Sequence, residues 1–323
     1  GPSEAARPFM EFRRFSSFLA ESTGFTGRID SVRVLDDLID RASHTTSDFP
    51  AIYENAVNRT LEARYALAAP TYRRLARRSD FRDFRPHKTV KLGDFPMLEK
   101  VAEDGEIKYG SFSEGKEQVQ AFAYARAIAI TRQMIVNDDL GAIADLLSSY
   151  GDTVALFEEV VFYSQALNAN LADGKAVFHA DHHNLANPAA AITVDSVSLG
   201  RASMSKQKSL EGNPLLSNRP RLLLCGPDKI TEAEKLVASI TPATVASVNI
   251  FSGRLEPLET AQISGNGWYL FPDAQADGRS NYRYGLLDGY EAPRVRMEEP
   301  FGRQGFAMSV EHDFGVGATD YRF

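Results

Sequence analysis

The chain has 323 residues, of which 43% are apolar and 24% are charged, a composition typical of globular rather than disordered proteins. Its 36 basic and 43 acidic residues give a formal net charge of −7, which argues against a nucleic-acid-binding protein. The single cysteine, Cys225, excludes an intrachain disulfide and a zinc site built from several thiolates. No apolar stretch is long enough for a membrane helix.

The first 75 residues contain short amphipathic segments separated by polar breaks. Apolar side chains recur at helical spacing over 12–19, 32–39 and 50–68, which predicts three helices. Such thin helices bury too little apolar surface to offset an ordering entropy of roughly 1–2 kcal/mol per residue. We therefore expect this arm to lie on another surface, either the body of its own chain or a neighbouring chain.

The sign of the charge changes after the arm. Residues 73–88, the basic stretch, contain seven basic and two acidic residues, a net charge of 7 − 2 = +5. Residues 94–117, the acidic stretch, contain three lysines and seven acids, a net charge of 3 − 7 = −4. Alternation around 106–109 predicts a polar hairpin with no face to bury against its own protein. Either this hairpin is simply solvated, or the two stretches engage neighbouring copies of the chain.

The middle of the chain has the clearest periodicity. Residues 119–131 alternate alanines with bulky residues, which predicts a strand. Apolar residues then recur every three or four positions, which predicts a helix over about 138–172 with Asn137 as its N-cap. At 1.5 Å per residue this helix is ~50 Å long. A long helix with one apolar stripe is a support on which sheets pack.

Shorter elements follow. The apolar run 221–227 predicts a buried strand, and the Thr-x-x-Glu pattern at Thr231 predicts a capped helix over 231–239. The remaining predicted strands are 268–271, 282–287 and those of the strand-rich region 293–323.

Candidate catalytic chemistry is sparse. His179 and His182 are three residues apart and would share a helix face, with Asp181 adjacent, so a metal site and a metal-dependent hydrolase remain an alternative. The segment is rich in turn residues, however, and a polar loop is the favoured interpretation. Phosphate-binding, dinucleotide-binding and nucleophile-elbow motifs do not occur. Cys225 is expected to be a buried hydrophobe, and the chain is predicted not to be an enzyme.

Seven short motifs occur in one order. They are His44–Pro50, Asp83–Phe84, Val101–Glu106, Thr131–Leu140, Asn170–His179, Trp268–Phe271 and Glu311–Arg322. The series resembles the major head subunit, or major capsid protein, of Mu-like tailed phages over residues 44–323. The resemblance implies an α+β fold, the Hong Kong 97-like capsid fold, with an N-terminal arm, an extended loop, a spine helix in a peripheral domain, and an axial domain.

The resemblance also implies a division of the chain. The implied parts are an N-terminal arm (1–75), an extended loop (76–118), a peripheral domain (119–184) with a spine helix (138–172), a mainly axial domain (185–285), and C-terminal strands returning to the peripheral domain (286–323). The resemblance then explains the unsupported arm, the charged loop and the long helix in the same way, since each is expected to lie on neighbouring subunits.

The implied function is structural. Hexamers and pentamers of the chain are expected to self-assemble into an icosahedral shell that encloses double-stranded DNA without reading its sequence. The chain is expected in the virion, after assembly in the host cytoplasm, with no cofactor, no metal and no membrane. Scaffold, portal and decoration proteins are further implied partners. An encapsulin-like nanocompartment shell is the alternative within the same fold.

Charged residues are the candidates for contacts between subunits. Four arginines of the basic stretch are expected to face acids of an adjacent copy. The candidates are Arg73, Arg74, Arg77 and Arg78 on the basic side, and Glu103, Asp104 and Glu106 on the acidic side. Some capsids of this fold carry a lysine–asparagine crosslink, but the sequence singles out no donor lysine and we predict none.

Overall fold

Helices and strands are interspersed along the described part of the chain. The structure, a computed structural model, describes residues 26, 49–89, 117–131, 140–209, 212–215, 218–238, 251, 253–298 and 305–323. The helices are α1 (Phe49–Leu67), α2 (Tyr72–Leu75), α3 (Leu140–Val161), α4 (Val194–Lys206), α5 (Ile230–Val237) and α6 (Ala274–Asp277). The strands are β1 (Ala76–Arg78), β2 (His87–Lys88), β3 (Gln118–Val119), β4 (Phe122–Thr131), β5 (Leu222–Cys225), β6 (Glu256–Glu259), β7 (Trp268–Phe271), β8 (Tyr282–Leu286), β9 (Arg294–Glu298) and β10 (Gly305–Ala318). No helix of this described part is both long and apolar enough to cross a membrane.

The chain divides into two compact units. Unit 1 comprises Gly1–Ala69, Phe122–Phe157 and Asp288–Phe314, and unit 2 comprises Pro70–Ala121, Glu158–Leu287 and Gly315–Phe323. Helix α3 and strand β10 have residues in both units.

Unit 1 is built on an antiparallel sheet in which β10 lies between β4 and β9. Alternate residues of β10 are at most 5% exposed, namely Met308, Val310, His312 and Phe314. Helices α1 and α3 pack on this face. The ring of Tyr65 lies 5.7 Å from that of His312, and the ring of Phe157 lies 4.7 Å from that of Tyr124. Sheet and helices therefore share one apolar layer.

Unit 2 contains a second, three-stranded sheet. Its central strand β5 runs parallel to β6 and antiparallel to β7, and all four of its side chains are fully buried. The core around this strand includes Val197 of α4 and Leu236 of α5. Helix α4 begins with a capping box between Thr193 and Ser196. Elsewhere in unit 2, β1 pairs in parallel with β8, and β2 pairs with β3.

Most predicted elements of the described residues are confirmed. The helix predicted over 50–68 is α1, the strand over 119–131 is β4, and the buried strand within 221–227 is β5. The strands predicted over 268–271 and 282–287 are β7 and β8, and β9 and β10 lie in the strand-rich region. The helices predicted over 12–19 and 32–39 and the hairpin around 106–109 lie outside the described residues.

The predicted end of the long helix is wrong. Helix α3 passes into one π-helical turn, Phe162–Ala166, and helical structure stops there rather than near residue 172. Asn170 instead bridges to Ala176, and the Leu171 N–H donates to the Lys175 carbonyl at 2.8 Å. This reversal needs Gly174, because its φ of +79° is readily adopted only by glycine. The backbone N–H and carbonyl groups that would hydrogen-bond within a longer helix instead bond across the turn.

One of two local predictions fails. Helix α5 begins at Ile230 with Lys229 as an N-cap that makes no side-chain hydrogen bond, so Thr231 lies inside the helix and caps nothing. The loop favoured for the segment around His179 and His182 is confirmed, because the segment makes only a 3₁₀ turn, Ala180–His182, and the alternative of a shared helix face does not form. A turn of three residues has no continuous face on which ligands could align.

Candidate functional site

The four candidate arginines lie on α2 and β1, at the start of unit 2. Tyr72, Leu75 and Ala76 are buried, and this pattern directs the arginines between them towards the surface. Arg73 and Arg74 are partly covered, whereas Arg77 and Arg78 are exposed. The spacing therefore separates the four into an inner and an outer pair.

Arg73 contacts a buried acid of its own chain. Its Nη2 lies 3.2 Å from Oε2 of Glu158, a side chain with no exposed surface. The Tyr72 hydroxyl donates to the same oxygen at 2.6 Å. A buried carboxylate without partners is costly, so these two donors help to stabilise Glu158 at this position.

Arg74 joins two acids that are distant in the sequence. Its Nη1 and Nη2 donate to the two carboxylate oxygens of Glu256, and Nη2 lies 2.5 Å from Oδ2 of Asp273. The hydrogen bond with Glu256 raises the pKa of Arg74, and the same bond lowers the pKa of Glu256. Burial favours a higher pKa for Asp273, but bonds from Arg74 and from the first backbone N–H groups of α6 outweigh it and lower that pKa.

The outer pair sits in a more basic environment. Arg78 forms a salt bridge with Asp80, with 2.9 Å between Nη2 and Oδ2. Arg77 lies close enough to Arg283 that, after burial, its charge is the next cause lowering the pKa of Arg283. The acids proposed to meet these arginines, Glu103, Asp104 and Glu106, lie outside the described residues. The predicted contact between subunits therefore stays a prediction.

The imidazole ring of His182 lies at the centre of the histidine cluster. His182 is 4% exposed, with Nδ1 3.0 Å from the Val177 carbonyl and Nε2 2.8 Å from Oδ2 of Asp173. Both ring nitrogens thus lie within hydrogen-bond distance of oxygens of the same chain, and neither faces an open position for a metal. Burial favours a higher pKa for Asp173, but the His182 bond and the Lys175 N–H lower it.

The other two members of the cluster face different partners. Asp181 pairs with Lys175 at 2.5 Å, and this bond lowers the pKa of Asp181. The Asp181 N–H donates to Nδ1 of His179 at 3.1 Å. Within the described ranges, no group of three or more His, Cys, Asp or Glu residues is placed to hold a metal ion. Cys225 is buried in the central strand of the second sheet, as expected.

Sequence reasoning missed a clamp on the segment 319–323. Asn184 donates to the Tyr321 carbonyl at 2.9 Å, and Asn218 donates to the Arg322 carbonyl at 2.7 Å. Asn281 binds both backbone groups of Phe323, accepting its N–H at 2.8 Å and donating to its carbonyl. The side-chain amides thus make the hydrogen bonds to the backbone that a neighbouring strand would otherwise make.

The clamp also holds an internal ion pair. Arg322 has no exposed surface, and its Nη2 lies 2.7 Å from Oδ2 of Asp320. The Tyr321 ring stacks on His182 with 4.0 Å between ring centroids. Asp320, Tyr321 and Arg322 belong to one of the seven ordered motifs, which is the signal that could have directed attention to this segment.

Comparison with known proteins gives one decisive match. A family model described as phage capsid protein matches residues 115–323, which is more than half of the chain. The chain belongs to the phage capsid protein family. Its function is that of a capsid protein, which builds the shell of a phage, and its place is the virion. The family is a structural one, and the match gives no support to an encapsulin-like shell or a metal-dependent hydrolase.

Solved structures provide weaker likenesses to this capsid protein. The bacteriophage JBD30 capsid is 18% identical, with 61% of this chain and 92% of that chain covered and a TM-score of 0.48. A phage-related protein from Bordetella bronchiseptica RB50 is 14% identical, with 81% and 93% covered and a TM-score of 0.48. The capsid of an empty GTA particle is 10% identical, with 79% and 88% covered and a TM-score of 0.48. No curated protein matches the chain.

Proposed function

We propose that the chain is the major capsid protein of a Mu-like tailed phage and has the Hong Kong 97-like fold. In this proposal, hexamers and pentamers close into an icosahedral shell around double-stranded DNA, and the chain performs no catalysis. The observation that carries the proposal is the family match over 115–323. Four of the seven ordered motifs fall wholly within that range, including Glu311–Arg322.

The proposed division of the chain is an arm (1–75), an extended loop (76–118), a peripheral domain (119–184 with 286–323) and an axial domain (185–285). Strand pairing supports the return of the C-terminal strands, because β4 pairs with β10 over ten residue pairs, from Gly305 with Thr131 to Phe314 with Phe122. The sheet of β5, β6 and β7 lies entirely within 185–285, as a separate axial domain requires.

Contacts between subunits follow from the charge pattern. We propose that the basic stretch, with candidates Arg73, Arg74, Arg77 and Arg78, meets acids of an adjacent copy. The candidate acids are Glu103, Asp104 and Glu106. Scaffold, portal and decoration proteins remain partners implied by the resemblance alone.

Electron microscopy of the purified full chain tests the proposed function. Negative-stain images and light scattering, recorded over a range of protein concentration, are expected to show closed shells or rings of five and six copies. The physical reason is that a capsid subunit carries the curvature of the shell in its own contacts. A chain that remains monomeric throughout, with the far-ultraviolet circular dichroism of a folded protein, would contradict self-assembly.

A further inference from the structure

Asn266 is the one asparagine of the chain that is followed by a glycine. The chain has twelve asparagines, and the residue after each of the other eleven carries a side chain. The side-chain amide of an asparagine can react with the backbone nitrogen of the next residue, and a glycine leaves that nitrogen unhindered. Asn266 is therefore the asparagine at which this reaction meets the least steric hindrance.

The structure places Asn266 in an exposed turn of unit 2, shortly before β7. The preceding residue, Gly265, has a φ of +73°, and its N–H donates to Oδ2 of Asp228 at 3.2 Å. On the other side of the turn, Trp268 begins β7 and pairs with Cys225 of β5. The turn is thus anchored at both ends, with two residues between the anchors.

Both reacting groups lie between these anchors and are available. Within the part of the chain that the structure describes, the Asn266 side chain makes no hydrogen bond, and neither does the Gly267 N–H. The amide of Asn266 can therefore turn towards the Gly267 nitrogen without breaking a bond to the protein. Asn281 is a contrast in the same unit, because it is 1% exposed and binds both backbone groups of Phe323.

We propose that Asn266 is a site of spontaneous deamidation in the folded chain. The Gly267 backbone nitrogen loses its proton to solvent hydroxide and attacks Cγ of Asn266. A C–N bond forms, the bond from Cγ to the side-chain nitrogen breaks, and that nitrogen takes a proton from water and leaves as ammonia. Water then opens the five-membered succinimide at either carbonyl, which gives aspartate or isoaspartate at position 266.

The packing around Gly267 does not require a glycine. A Cβ at this position would lie 3.5 Å from Cγ2 of Ile263 and 4.0 Å from Cε2 of Tyr269, which are ordinary van der Waals contacts. Gly267 also lies outside the positive-φ region that favours glycine. An alanine therefore fits at position 267, and Gly267→Ala can hinder the reaction while the fold is kept.

The modification changes both the charge and the backbone next to β7. Either product adds a negative charge to a turn that already contains the Asp228 carboxylate. Isoaspartate also lengthens the main chain by one carbon atom, two residues before Trp268, whose indole N–H donates to the Ala190 carbonyl at 2.8 Å. The inference does not rest on the proposed function, since it concerns each copy of the chain separately.

Peptide mass spectrometry tests the proposal. The folded chain is kept in mildly alkaline buffer, sampled over time and digested with trypsin, and the peptide 255–279 contains Asn266 as its single asparagine. Deamidation replaces the NH₂ of the side chain by OH, and fragmentation assigns the resulting gain in mass to position 266. Methylation by a protein isoaspartyl methyltransferase detects the isoaspartate product.

The expected result is progressive modification of the folded wild-type chain at position 266. Reaction in Gly267→Ala should be at least about tenfold slower, because the added Cβ restricts the backbone conformations that bring the nitrogen to Cγ. Circular dichroism checks that this variant is folded. The peptide 280–283, which contains the buried Asn281, is the internal control and should remain unmodified.

Two results would overturn the proposal. One is the absence of modification in the folded chain, and a parallel incubation in urea then shows whether the fold protects Asn266 or the sequence is unreactive. The other is an equal rate in the wild type and in Gly267→Ala, which would mean that the nitrogen at position 267 does not control the reaction.

Discussion

At the scale of single residues, the buried carboxylate of Asp320 is matched by several donors. Asp320 accepts the N–H groups of Tyr321 at 2.7 Å and Arg322 at 3.2 Å, in addition to the Arg322 guanidinium. Removing one member of a buried pair leaves an uncompensated charge, which is more costly than losing an exposed pair. The two kinds of pair therefore differ in their expected effect on stability.

The substitution Asp320→Asn is expected to lower the free energy of unfolding by about 3–5 kcal/mol, because Arg322 stays buried and loses its counter-charge. Urea denaturation followed by circular dichroism measures this change. The matched control is Glu232→Gln, which breaks an exposed pair with Lys229 and should cost less than about 1 kcal/mol. Equal effects of the two substitutions would mean that the Asp320–Arg322 pair does not carry this stability.

At the scale of elements, helices α1 and α3 of unit 1 approach each other at a glycine. A Cβ at Gly151 would lie 2.7 Å from the Cβ of Arg64 and 2.8 Å from the backbone nitrogen of Tyr65. Both of those atoms belong to rigid parts of α1 and cannot turn aside. The absence of a side chain at position 151 is thus a requirement of helix packing.

Gly151→Ala is expected to destabilise the protein by about 1–3 kcal/mol through overpacking, although alanine is favoured over glycine in helices by about 1 kcal/mol. The contrasting variant is Gly200→Ala in α4, where the added Cβ would meet the end of the flexible Leu270 side chain. That variant should be neutral or stabilising. Thermal unfolding of both proteins measures the difference, and a stabilising Gly151→Ala would contradict the close packing.

At the scale of the whole molecule, charge is distributed unevenly along an acidic chain. A net charge of −7 suits a shell whose wall should not hold its DNA tightly. The basic stretch is the exception, and several of its arginines remain at the surface of unit 2. Contacts between exposed charges are screened by salt, whereas buried pairs are much less affected.

Assembly of the purified chain is therefore expected to weaken severalfold as NaCl is raised from about 0.1 M to 1 M, which shortens the Debye length from about 10 Å to about 3 Å. Sedimentation velocity measures the assembled fraction. Sodium sulfate at the same ionic strength screens charge but strengthens apolar burial, so it separates the two contributions. Assembly that does not respond to NaCl would mean that exposed charges contribute little.

Much of the described secondary structure could be predicted from local pattern. Strand β4 was predicted from the alternation of alanines with bulky residues, and α1 from apolar residues at helical spacing. Both predictions work because an element with one buried face has apolar residues repeating at its own structural period. The end of α3 could not be predicted in this way. Apolar residues continue at helical spacing past Ala166, but the backbone groups of that segment hydrogen-bond in the turn around Gly174 rather than in a helix.

The candidate site, too, could be predicted from the sequence only in part. Clustering of arginines at 73–78 was visible in the sequence, as was the ordered motif that contains Asp320 and Arg322. The carboxylates that Arg73 and Arg74 meet were not visible, since Glu158 is 85 positions away from Arg73 and Asp273 is 199 positions away from Arg74. Nor did any pattern indicate that three asparagines would bind one short segment.

Residue types, periodic faces and the ordered motifs typical of a capsid family can be recognised in the amino-acid sequence alone. These are local properties, set by which side chains avoid water and which backbone angles each residue allows. Which charges are neutralised within the chain, and which remain at the surface, could be learned only from the three-dimensional structure. Ion pairing depends on distances of 3–4 Å between groups far apart in the chain, and only the folded packing sets those distances.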